Sequence, residues 1–350
     1  MKNGMITRNF TANEVAERIV SSGVAPSAAA GFATPERGIF VGGSIDTFFD
    51  LASLTKPMTA VAIAKSSLDR RATLGSILPE LADTMSASTP IELLLAHRAG
   101  LEAHVKLWLR ENMQLAHLLR EAASSRRSDA AGPIPENGFP PVYSDLGYLL
   151  AGAALARHER TIDAGEAIER LVVAPLGLEK KLGTARSLEN YGVDLIANAA
   201  PTEDASWRGG TVHARVHDEN AWAISGDGGS GHAGMFGTVE AVLKFGLSVL
   251  SDLERRERGE NLEWLVRERP GGTLRAGFDG KSTTGSSAGS VAGPRTFGHL
   301  GFTGTSLWID PDARRVVALL TNRVHPTREN TAIRDARPIA HDALFSAACD

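Results

Sequence analysis

The chain has 350 residues, 43% hydrophobic and 22% charged, a balance that sustains a packed core and argues against wholesale disorder. With 37 basic and 41 acidic residues and a formal net charge of −4, it has no basic footprint for nucleic acid. Its single cysteine, Cys349, excludes an internal disulfide framework and a cysteine-built zinc site, and argues against a thiol nucleophile. Residues 1–12 carry one lysine and one arginine with no apolar run behind them, and no stretch is long and apolar enough to span a bilayer. The expectation is a cytoplasmic protein with no membrane partner.

In chain order, Thr11-Ala12-Asn13-Glu14 fits a capping box, followed by Val15, Ile19 and Val20 at helical spacing and closed by Gly23. Residues 26–33 and 38–43 read as a β-hairpin around Pro35–Gly38. A helix is expected from about Ser53 to Arg70, because Pro57 is tolerable only in a first turn, where amide protons lack intrahelical partners. Further helices are expected over 91–97, capped by Gly100, over 106–123 and over 146–157, with a Pro-rich loop at 126–141. The Gly/Ser-rich segments 226–237 and 279–294 read as surface loops, the second mobile. Residues 303–310 and 315–323 flank Pro311–Arg314 as an antiparallel hairpin, and a last helix covers 331–347, kinked or started by Pro338. The expected fold class is α+β: an antiparallel sheet closed by both termini and flanked by helices, with an inserted helical lobe. The whole of 1–350 is read as one domain, with an α/β lobe at about 1–55 and 200–350 and a helical lobe at about 56–199.

Three sets of residues carry chemistry. Ser53-Leu54-Thr55-Lys56 places a hydroxyl and an amine on one face of a helix start, where a dry lysine can take the serine proton and the helix end favours the alkoxide. By itself the pattern also suits a capped helix with a solvated lysine. Tyr143-Ser144-Asp145 stands where the Pro-rich loop meets a helix. Ser144 or Asp145 suits an N-cap, and a phenol beside cations is a usable base. Leu146 excludes a Ser-Asp-Asn reading. Residues 297–305 put glycines into a strand, which lets a substrate approach the backbone, with His299 placed to meet a polar or anionic substrate group. Alone, this set also reads as a strained edge strand with a surface histidine.

Taken together, the order and spacing of these sets resemble the serine β-lactamase and penicillin-binding protein superfamily, in its class C-related branch of esterases, D-amino-acid peptidases and amide hydrolases. The Ser-x-x-Lys motif falls on Ser53 and Lys56, the tyrosine motif on Tyr143 and Asp145, and the strand motif on His299 and Gly301. Supporting stretches lie at 93–101, 143–152, 217–220, 231–236 and 304–311, so the resemblance runs from about residue 40 to 325. It implies a β-lactamase/transpeptidase-like fold, with Ser53 acylated and Lys56 and Tyr143 sharing its proton and later priming the hydrolytic water. The amides of Ser53 and Phe302 would form the oxyanion hole, with Asp145, His299, Gly301 and Phe302 lining the substrate site.

Two departures stand out. Asp145 replaces an amide and would raise the pKa of Lys56, the wrong direction for a base unless Tyr143 serves. His299 replaces a lysine and removes a fixed positive charge. Both favour esters or weakly charged amides over β-lactams. No cofactor and no metal are expected: His213 and His217 have helical ligand spacing among unsuitable neighbours, 226–231 lacks a P-loop ending, and Lys281-Ser282-Thr283-Thr284-Gly285 lacks a strand. The expected function is a serine hydrolase acting through an acyl-enzyme on a small ester, amide or peptide. Its rival is a sensor or scaffold of the same fold that does not turn over.

Overall fold

A computed structural model describes residues 6–255 and 262–349. Its centre is a seven-stranded sheet built from β1 (Ile6–Arg8), β2 (Ala28–Thr34), β3 (Gly38–Gly43), β4 (Asp279–Gly280), β5 (Phe297–Leu300), β6 (Ser306–Asp310) and β7 (Arg315–Thr321). The spatial order is β1-β3-β2-β7-β6-β5-β4, so the two ends of the chain meet at the β2–β7 pair, in register from Val316 opposite Ala33 to Thr321 opposite Ala28. All pairs are antiparallel except β1 with β3. The sheet is therefore mixed, because a short strand ahead of the first helix adds in parallel.

Alternation along β7 explains the layers. Val316, Ala318 and Leu320 face one apolar cluster, and Val317 and Leu319 face the other. On the first face lies α4 (Val239–Glu254), contributing Val242, Leu243 and Phe245. On the second lie α1 (Phe10–Ser21) and α5 (Ile333–Ala347), through Val15, Ile19, Leu344 and Phe345. Every residue of β2 is buried, which its four alanines and one glycine allow by letting helices approach from both sides. Between β3 and α4 the chain forms the mostly helical part, which includes α2 (Thr55–Lys65) and α3 (Asp145–Glu159). A three-stranded sheet of Phe49–Asp50, Met235–Gly237 and Leu182–Thr184 joins it to the rest. Among the described residues no helix is long and apolar enough to cross a membrane.

Several boundaries differ from the sequence reading. The cap of α1 is Asn9, whose side chain accepts from the Ala12 amide, and not the box beginning at Thr11. Helix α2 stops at Lys65, and the helix beginning at Ile91 ends at Leu95, well before Gly100. The 106–123 pattern splits into a turn at Leu107–Leu109 and a helix at Leu115–Ser124. Pro338 lies inside α5. The largest difference concerns 226–237, which is buried from Gly228 onward and ends in a strand. There Gly231 has φ +88° and packs so tightly that a Cβ would collide with the Tyr148 carbonyl oxygen. The glycines serve close approach, not exposure.

Candidate active site

Ser53 is placed by the residues before it. Asp50 is buried, and its carboxylate accepts from the amides of Ala52 at 2.8 Å and His217 at 2.7 Å. These bonds hold Ala52 at φ 47°, a left-handed conformation that costs an L-residue about 1 kcal/mol. A 3-10 turn, Ala52–Leu54, then feeds α2 and leaves Ser53 half-buried at the cleft. The hydroxyls of Thr303 and Thr305 donate to the carbonyls of Asp50 at 2.7 Å and Leu51 at 3.0 Å. The nucleophile turn and the loop after β5 are thus tied to each other.

Lys56 lies one turn beyond Ser53 and is fully buried. Its ammonium donates to Ser53 Oγ at 2.8 Å, Asp145 Oδ1 at 2.7 Å and the His232 carbonyl at 3.3 Å, which uses all three protons. Burial works to lower the lysine pKa, but the Asp145 carboxylate, helped by Tyr143, more than cancels it and leaves the group above its ordinary value. Burial likewise opposes Asp145, yet Lys56 and then His104 hold its carboxyl well below the usual range. The pair is ionised.

The partner residues arrive on the loop before α3. Ser144 caps that helix, accepting from the Gly147 amide at 3.4 Å, so Asp145 is its first residue. His97, at φ 58°, accepts the Ser144 amide on Nδ1 at 2.9 Å and stacks on the Tyr143 ring at 4.6 Å. Burial drives the His97 pKa to about 3, so it is a neutral acceptor. The Tyr143 ring lies 4.8 Å from Lys56 Nζ. Burial raises its phenol pKa, and the contacts with Lys56 and Ser53 offset only part of that rise. At neutral pH the site therefore holds an ammonium and an un-ionised phenol.

The opposite wall comes from β5 and the loop after it. The two-residue β4 pairs only with Phe297 and Gly298, so His299 stands on a free edge. It is nonetheless buried, with Nδ1 directed at the Leu300 carbonyl and its ring 5.9 Å from Tyr143, behind the cleft surface. Burial and then Lys56 push its pKa to about 3. Gly301 packs so tightly that a Cβ would meet Thr305 and the Leu51 carbonyl. The Phe302 side chain is exposed, with Arg323 bonded to its carbonyl at 2.8 Å. Among the described residues the amides of Ser53 and Phe302 donate to no other group, as two oxyanion donors require.

The cleft has a volume of about 630 Å³ and includes Ser53, Tyr143, Asp145, Gly301 and Phe302, but not His299. It also includes residues that nothing in the sequence singled out: His104, which faces Asp145, and Arg323, Arg334 and Arg337, three arginines with no ion-pair partner among the described residues. The cleft is therefore not short of positive charge; that charge enters from α5 and the end of β7. His213 and His217 turn to separate partners, the Ala199 carbonyl and Glu203. Lys281 bonds to the Ser290 and Ala292 carbonyls, away from the cleft.

A protein of Escherichia coli (strain K12), provisionally named a D-alanyl-D-alanine carboxypeptidase, is 25% identical over 311 residues, covering 80% of this chain and 70% of that one. Two solved structures share the fold. One is EstCE1, a hydrolase with promiscuous acyltransferase activity, with a TM-score of 0.68 at 19% identity, over 94% of this chain and 97% of that one. The other is the D-amino acid amidase from Ochrobactrum anthropi SV3 complexed with D-phenylalanine, with a TM-score of 0.64 at 17% identity, over 96% and 98%. The model of the family described as Beta-lactamase matches residues 16–341, nearly the whole span from α1 to α5, and on that match the chain belongs to the Beta-lactamase family.

Proposed function

We propose that the protein is a serine hydrolase that forms an acyl-enzyme on Ser53, and that activated esters and weakly charged amides are its substrates. The observation that carries this reading is the fully buried Lys56, bonded at once to Ser53 Oγ at 2.8 Å and to Asp145 at 2.7 Å beside the Tyr143 ring. A scaffold that is never acylated has no physical need for this arrangement. In acylation Ser53 Oγ attacks the carbonyl carbon, its proton passes to the small fraction of Tyr143 that is phenolate beside the Lys56 ammonium, and the amides of Ser53 and Phe302 take the charge on the carbonyl oxygen. One such donor is worth about 3 kcal/mol in the transition state.

The protonation of the pair sets the substrate preference. Because both pKa values lie above their ordinary positions, little of the pair is in its basic form at neutral pH. Where the basic form is scarce, an activated carbonyl whose leaving group needs no proton, as in a nitrophenyl ester, reacts more readily than an amide whose nitrogen must be protonated to leave. The relatives are named for peptide, amide and acyl-transfer chemistry, which supports the same class of carbonyl substrate. One observation favours a second reading. The exposed Arg334 on the rim, backed by Arg323 and Arg337 bonded to backbone carbonyls behind it, suits a carboxylate-bearing substrate such as a β-lactam.

Labelling with a fluorescent fluorophosphonate and a fluorescent penicillin, with Ser53→Ala as control, tests the proposal. Transient Ser53-dependent labelling by penicillin together with turnover of nitrophenyl butyrate is expected. Persistent labelling without turnover supports the sensor, and no labelling overturns the nucleophile. A cephalosporin with higher kcat/KM than nitrophenyl butyrate decides for the second reading.

A further inference from the structure

We propose that His104 is the general base that activates water for hydrolysis of the Ser53 acyl-enzyme, and that Asp145 orients it. The inference rests on the acyl-enzyme reading and names the group that completes its second half.

His104 lines the same cleft as Ser53, Tyr143 and Asp145, and its side chain is 38% exposed. Nδ1 faces Asp145 Oδ2 at 3.6 Å, and the ring rests 5.5 Å from Trp108, which limits its rotation. Nε2 has no protein partner among the described residues. The other oxygen of Asp145 is occupied by Lys56. One carboxylate thus serves two nitrogen groups through its two oxygens. An asparagine would put a neutral amide, one oxygen and one NH2, in place of two charged acceptor oxygens. This gives a physical reason for an acid at position 145.

The other candidates are placed for other contacts. Lys56 is bonded to Ser53 and Asp145, Tyr143 is taken up with the Ser53 proton, and His97 and His299 are buried behind the surface. His217 is tied to Glu203, and His232 is tied to Asp218 and Ser230. The groups acting on His104 are Asp145 from α3, and Asp218 and Glu219 at the start of the helix Glu219–Ser225. Their combined effect, with Asp145 largest, outweighs burial and raises the imidazole pKa. His104 is thus the part-exposed imidazole of the cleft that faces the Asp145 carboxylate.

The step balances as follows. A water oxygen bonds to the acyl carbon as its proton moves to Nε2 of His104. The tetrahedral intermediate collapses, the bond from carbon to Ser53 Oγ breaks, and Nε2 returns the proton to Oγ. A carboxylic acid and the free serine result.

Stopped-flow hydrolysis of nitrophenyl acetate separates the two halves, because the burst reports acylation and the steady state reports deacylation. For His104→Gln the burst should stay within about threefold of native, while the steady-state rate falls about a hundredfold and the acetyl adduct on Ser53 accumulates in intact mass spectra. The native steady-state rate should rise with pH through the histidine titration, and that limb should vanish in the variant. Added imidazole should restore turnover to His104→Ala. A His104→Gln enzyme with native deacylation rate and pH limb overturns the assignment. So does a loss of burst and steady state together that imidazole does not relieve. If the native enzyme forms no Ser53 adduct at all, the acyl-enzyme reading fails first, and the two failures are told apart by that spectrum.

Discussion

The two walls of the cleft each carry a histidine, and the contrast between them shows what decides the charge of the site. His104, on the helical side, keeps over a third of its side chain in solvent and faces a carboxylate, so its pKa is raised. His299, on the strand side, is buried and feels Lys56, and its pKa falls to about 3. Burial disfavours the cation at both positions, but only at His104 is there an anion close enough to reverse it. The helical wall therefore holds the Lys56–Asp145 pair and His104. The strand wall holds a neutral ring, the Phe302 amide and the arginines bonded to the carbonyls of its loop.

Removing the ion that anchors the helical wall should have the largest effect. Lys56→Ala is expected to lower kcat/KM for nitrophenyl butyrate by about a thousandfold, and a loss under tenfold would mean that Lys56 is not in the proton path. Asp145→Asn should act on both charged neighbours at once. It relieves the rise in the Lys56 and His104 pKa values, so the pH–rate limbs of acylation and deacylation should both move to lower pH. It should also destabilise the fold by about 2 kcal/mol in urea titrations, less than for a fully enclosed pair because Asp145 is 20% exposed.

The buried histidines extend the comparison to stability. His97, His299 and His341 have folded pKa values of about 3, 3 and 4, against 6.5 when unfolded. A depressed value means that the unfolded chain binds the extra proton, so the stability present above pH 6.5 is lost as pH falls toward 4. At pH 4.5 each should cost about 2–3 kcal/mol relative to pH 7.5, which urea unfolding at the two pH values measures. Equal stability at both would mean that these rings are solvated. The smallest effect concerns the strand wall. His299→Lys should shift the ratio of cephalosporin to ester kcat/KM by less than about tenfold, because a charge there sits behind Tyr143 while guanidinium groups already line the cleft.

The legible parts of the site were the local ones. Ser53 and Lys56 are one helical turn apart, so their contact follows from spacing alone, and Pro57 fixed where that turn must start. Tyr143 and Asp145 were legible as a loop-to-helix junction, with Ser144 as the cap. The hairpin of β6 and β7 was legible because apolar runs flank a Pro-Asp turn. His97, His104 and Asp50 were not legible, since each matters only through a partner brought to it from elsewhere in the chain. The nearest sign was the stretch 93–101, noted without a role for His97.

The sequence by itself therefore determined the Ser53–Lys56 contact and the alternating strands, because those contacts lie within one turn or one pleat. Whether a group is charged was left to the tertiary structure. It buried one histidine behind Tyr143 and set another against Asp145, and it turned a glycine-rich segment inward, its Gly231 carbonyl accepting from Thr59 of α2 at 2.6 Å. Protonation depends on solvent exclusion and on charges from distant segments, and neither is written in the spacing of residues along the chain.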